Sequence, residues 1–142
     1  MTAITLDTAP AATARTSRTV WAGRTLSGRA ILALAADASG KLIAPNLMIA
    51  NSPPLGLAAY PGLYRMIGGI LAVCTALYAW PRTALLGAVL LTGFLGGAVA
   101  VNVRAEMPLV TNTLFGIYLG AMVWGGLLLR DPRVRALPPV AA

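Results

Sequence analysis

The chain has 142 residues, of which 58% are hydrophobic and 11% charged, and its mean hydropathy is +0.77. Too few charges remain to cover a water-facing surface, so a soluble globule is excluded, and the length is that of one domain. The net charge of +7 comes from arginines scattered between apolar runs. They form no basic stripe with interleaved aromatics, so no nucleic-acid partner is expected, and the charge reads as membrane orientation.

Residues 1–20 are rich in Thr and Ala, carry Arg15 and Arg18 and lack a long apolar run, which predicts a disordered basic tail. A four-helix membrane domain is expected over residues 21–139. Its first span, about 27–44, is the least apolar, because Asp37, Ser39, Gly40 and Lys41 interrupt it. Residues 45–61 hold Pro45, Pro53, Pro54 and Pro61 around short apolar pieces and predict an interfacial loop or short re-entrant element. Further spans are expected at about 63–80, 84–103 and 110–129, and each stops at proline and charge: Pro81 and Arg82, then Arg104, Glu106 and Pro108, then Arg130 to Arg135. Runs of about 18 to 21 residues at ~1.5 Å each cross a ~30 Å hydrocarbon core. They are continuously apolar, which excludes membrane strands and leaves helices, whose backbone groups pair internally.

The fold class is therefore an all-α membrane protein, an antiparallel bundle of four transmembrane helices. Arg15, Arg18, Arg24, Arg29, Arg82, Arg130, Arg133 and Arg135 fall on one side and Arg65 and Arg104 on the other, which places both termini in the cytoplasm. Trp80 and Trp124 sit toward the cytoplasmic ends of their spans, as belt residues do. Gly93 with Gly97, and Gly116 with Gly120, put small residues four apart on a helix face and are candidates for helix packing or homo-oligomer contact.

Chemistry concentrates in few residues. Cys74 is the only cysteine and histidine is absent, so the usual metal and haem ligand sets are unavailable within the chain and no covalently bound cofactor is expected. No catalytic residue is assigned, because no Ser/His/Asp set, phosphate loop or dinucleotide fingerprint identifies a self-contained enzyme. Asp37 falls near mid-membrane, where an ionisable group is a functional candidate by default. Lys41, one turn on, shares its helix face and can pair with it. Antiparallel helices bring Tyr64, Arg65, Asn102, Arg104, Thr111, Asn112 and Thr113 to the same outer level. A polar layer with apolar walls, open to the outer face, can hold a quinone head group or a small anion, or pass a proton. The same layer can instead serve only to fix helix register.

The stretch LYRMIGGILAVCTALYAWPRTALLGAVLLTGFLGGAVAVNVR (63–104), the exit WGGLLLRDPRVRALPP (124–139) and DASGKL (37–42) resemble DoxX-like membrane proteins over roughly residues 22–139. At Asn102 the chain departs from the family pattern, where members often carry histidine. The resemblance implies a four-helix protein of a bacterial-type inner membrane, loosely related to the small subunit of thiosulfate:quinone oxidoreductase. It implies an accessory subunit of a quinone-linked redox assembly, with other membrane subunits and the bilayer as partners. A small transporter or proton-conducting bundle using Asp37, and a purely structural subunit of a larger complex, are the alternatives.

Overall fold

A computed structural model describes residues 9–51, 56 and 60–135, with side chains from Arg18 onward except those of Asn51, Asn112 and Arg135. Among these residues every regular element is helical: α1 (Ala9–Ile43), α2 (Pro45–Asn51), α3 (Pro61–Ala79), α4 (Ala84–Arg104), α5 (Leu114–Arg130) and the short α6 (Pro132–Arg135). Three stretches are long and apolar enough to cross a membrane: Pro61–Ala79, Ala84–Arg104 and Leu109–Arg130. Their bounds fall within a few residues of those expected from hydropathy.

Helix ends follow local chemistry. Pro45, which has no N–H to donate back into α1, marks the break between α1 and α2, and Pro61 opens α3 at a position whose N–H has no helical partner anyway. α3 ends at Trp80, in extended geometry before Pro81. The Asp131 carboxylate accepts the Arg133 N–H at 2.9 Å and caps α6. The turn into α5, Leu109–Thr113, is π-helical: Thr113 N–H donates to the Pro108 carbonyl at 3.3 Å, and Leu114 N–H reaches back to Leu109.

Residues 9–20, expected as tail, lie within α1, where Ala9, Ala11, Ala12 and Ala14 favour helix. Residues 1–8 lie outside the described residues. So do 52–55 and 57–59 of the expected interfacial loop, whose first part is α2.

α1 packs on α3 and α5, and α4 also packs on α3 and α5. Ala30, Leu34, Leu71, Tyr78, Ala88, Leu91, Leu119, Val123 and Leu127 form the shared core. Close approaches between helices are made at glycines, and they change partners along the molecule. Toward the Tyr78 end, α1 meets α5: a methyl on Gly23 would stand 2.7 Å from the Arg130 nitrogen, and one on Gly126 2.8 Å from the Ser27 nitrogen. There α4 also meets α3, with Gly87 against the Tyr78 backbone. Toward the Asp37 end the partners swap. Gly68 of α3 lies against α1, 2.8 Å from Lys41 Cβ by the same measure, and Gly116 of α5 lies against α4, 2.9 Å from Val99 Cγ2.

A buried polar knot reinforces the Tyr78 end. Tyr78 Oη donates to the Val123 carbonyl at 2.8 Å, so Ser27 Oγ, 2.9 Å away, donates to Tyr78. Arg130 donates to the Tyr78 carbonyl at 2.9 Å and sits over its ring at 4.8 Å. Three helices are thereby joined through one side chain. Tyr78→Phe should leave the Val123 carbonyl and the Ser27 hydroxyl without their partner and cost about 1–3 kcal/mol, measured as a lower unfolding midpoint in detergent.

Candidate functional site

At the Asp37 end the helices enclose a cleft of about 600 Å³, a volume usual for small-molecule sites. α1 contributes Ala33, Leu34, Asp37 and Lys41; α3 Tyr64 and Ile67; α4 the run from Phe94 to Asn102, except Gly96 and Ala100; and α5 Phe115, Gly116 and Leu119. The helical period dictates this set. Leu34, Asp37 and Lys41 recur at three and four residues and so share one face of α1, as do Phe94, Ala98 and Val101 on α4.

Lys41 Nζ donates to Asp37 Oδ1 across one helical turn. The two groups are unequally enclosed: the Lys41 side chain is 18% exposed and that of Asp37 46%. The lysine side chain is thus the more sheltered member of the pair, and both charges border a largely apolar chamber. Asn102 donates from its amide nitrogen to the Ala98 carbonyl at 3.0 Å, which fixes the amide against its own helix. Tyr64 is buried, 8% exposed, in the wall next to them.

Four of the residues expected in a polar layer, Asp37, Lys41, Tyr64 and Asn102, therefore line one cavity. Arg65 and Arg104 do not. Both are exposed, and Arg104 Nη2 reaches toward Gly56 in the segment between α2 and α3. Asn112 belongs to the π-helical turn, and its side chain lies outside the described residues. Of the four glycines expected to pack helices, Gly116 makes a close approach, whereas Gly120 has only Leu95 Cδ1 at 4.0 Å and a methyl on Gly93 or Gly97 would meet nothing within 4 Å. Gly97 lines the cleft instead. Trp124, expected at the membrane interface, packs against the core and donates its indole N–H to Thr92 Oγ1 at 2.9 Å.

The aromatic walls were not anticipated from the sequence. Phe94 and Phe115 are the only phenylalanines in the chain, and both line the cleft. That scarcity, together with their placement at the depth of Asp37, was the available signal. Chemically the chamber offers one polar end, with the Lys41 ammonium paired to the Asp37 carboxylate beside Tyr64 and Asn102, and an apolar remainder with two phenyl groups. It suits a compact, largely apolar ring bearing hydrogen-bond acceptors.

A family model described as the DoxX-like family matches residues 25–126. The chain belongs to the DoxX-like family. No curated protein and no solved structure matches it. In this DoxX-like chain the matched segment runs from Thr25, just upstream of Ser27, to Gly126, which packs on Ser27. It therefore includes every cleft-lining residue and most of the polar knot, and it stops short of Arg130.

Proposed function

We propose that this DoxX-like protein is an accessory subunit of a quinone-linked redox assembly in a bacterial-type cytoplasmic membrane, and that its cleft receives the quinone head group. The supporting observation is the cleft itself, closed at one end by core and carrying its only charged pair beside aromatic and aliphatic walls. Lys41 would donate to a ring carbonyl, and the phenyl walls would cover the ring.

In this reading α1 is the fourth span. It has the length, and it lies beside the apolar helices from Gly23, against the end of α5, to Lys41, against α3. Its charges keep its hydropathy below that of the other spans, and Asp37 and Lys41 are accommodated by facing the interior and pairing. Arg24, Arg29, Arg82, Arg130 and Arg133 cluster at the Tyr78 end, against Arg65 and Arg104 at the other, which supports cytoplasmic termini and an outward-facing cleft. Against the alternative of an ion pathway stands the filling of the Tyr78 half, where Leu71, Tyr78, Leu91, Val123 and Leu127 are all fully buried.

The test is thermal unfolding in detergent with tail-less and short-tailed ubiquinones. A ligand at one hundred times its Kd adds about 2.7 kcal/mol, so wild type should melt several degrees higher with quinone. Lys41→Met should lose most of that shift. Absence of any shift in wild type rejects quinone binding.

A further inference from the structure

We infer that the cleft is loaded sideways from the bilayer, between α3 and α4, and that Gly97 is the threshold past which a hydrocarbon tail leaves. The inference rests on the reading of the cleft as a quinone-head site, and it names the ligand class more narrowly: an amphiphile whose head sits inside and whose tail stays in lipid.

The swap of glycine contacts carries the argument. At the Tyr78 end α3 and α4 are held together by Gly87 against the Tyr78 backbone, but at the Asp37 end the close approaches join α1 to α3 and α5 to α4. Among the described residues no glycine brings α3 against α4 there. Ile67 and Tyr78 lie eleven residues apart, which returns to nearly the same face of α3. The face that touches α4 at one end therefore borders the cleft at the other. On α4, Phe94, Gly97 and Val101 form the matching stripe, and Val99, turned to α5, lies on the other side.

Gly97 both lines the cleft and is exposed at the surface, with no atom near enough to touch an added methyl. Gly116, the other glycine in the wall, has Val99 Cγ2 at 2.9 Å and is small because packing requires it. At Gly97 packing requires nothing, as at Gly93 and Gly96, but of these three only Gly97 borders the cleft, where a larger side chain would narrow the gap. The opposite gap, between α1 and α5, is bordered by the Phe115 ring and the Asp37 carboxylate, a poor exit for hydrocarbon.

Two measurements decide the matter. The first compares a benzoquinone without a tail and the same ring with a decyl tail, on wild type, Gly97→Phe and Gly93→Phe, the last being equally open but outside the cleft. Gly97→Phe should weaken the tailed quinone by roughly tenfold or more, about 1.4 kcal/mol, and the tail-less one by less than about twofold. Gly93→Phe should bind both as wild type does. An unaffected tailed ligand, equal loss of both ligands, or the same loss in Gly93→Phe overturns the inference.

If wild type binds neither quinone, the proposed function fails, and the second measurement judges the opening alone. A nitroxide on Gly97→Cys in a Cys74→Ala background should collide more often with bilayer-dissolved oxygen than with a water-soluble nickel chelate. Nickel collisions as frequent as oxygen collisions would make the opening aqueous and overturn it.

Discussion

Gly87→Val should deprive the chain of its folded state, with a loss of about 3 kcal/mol or more. A side chain at this position overlaps the main chain of Tyr78 rather than a movable side-chain tip. Since α3 and α4 are joined by the short turn through Trp80–Thr83, they cannot separate there without breaking the Thr83 hydroxyl's 2.8 Å bond to the Leu77 carbonyl. Overpacking of ordinary cores costs about 1–3 kcal/mol, and a clash with backbone lies at or beyond the top of that range. Separation would also draw Tyr78 off the Val123 carbonyl and expose its buried phenol. The check is folded yield and unfolding midpoint in detergent beside Gly96→Val, which stands on the same helix in open space and should change stability by less than about 0.5 kcal/mol. Equal behaviour of the two variants would show that the α3–α4 contact contributes little.

Asp37→Ala should destabilise more than Lys41→Met, by about 1–3 kcal/mol against less than about 1. The direction follows from exposure. Removing the carboxylate leaves a lysine whose side chain is 18% exposed without its counter-charge, whereas removing the ammonium leaves an aspartate whose side chain is 46% exposed. The values fall below those for fully enclosed pairs, because water entering the cleft screens both groups. The double variant Asp37→Ala/Lys41→Met should recover most of the loss, since no orphaned charge remains. A double variant as unstable as Asp37→Ala alone would show that the aspartate matters through something other than its lysine.

Hydropathy carried the spans, because a run bounded by Pro81–Arg82 or by Arg130–Asp131 has few other ways to satisfy its backbone in lipid. Helix character before residue 20 was less legible. Thr and Arg among the alanines read as tail, yet alanine content sufficed for helix. Asp37, Lys41, Tyr64 and Asn102 could be brought to one level by counting residues along antiparallel helices. Counting gives Arg65 and Arg104 the same level, yet neither lines the cleft, because level is all that counting provides. Azimuth depends on which helix faces which, and that is set by contacts such as Gly68 on Lys41 and Gly116 on Val99. Glycine spacing alone could not separate these from Gly93 and Gly97, since a four-residue interval looks the same whether a neighbouring helix or empty space lies opposite. The Ser27–Tyr78–Arg130 knot is not legible in the sequence, because serine and tyrosine at span ends are unexceptional until their partners are known.

The wide turn at Leu109–Thr113 spends five residues where an ordinary helical step spends four. It therefore works as a shim in the chain: removing a single residue from it would let the backbone relax to the tighter helical step, without dragging Gly116 out of its seat on Val99. A deletion at this place is predicted to be milder than one within α5 itself, where every later side chain would rotate by about 100° and the contacts of Val123, Gly126 and Arg130 would all be lost together.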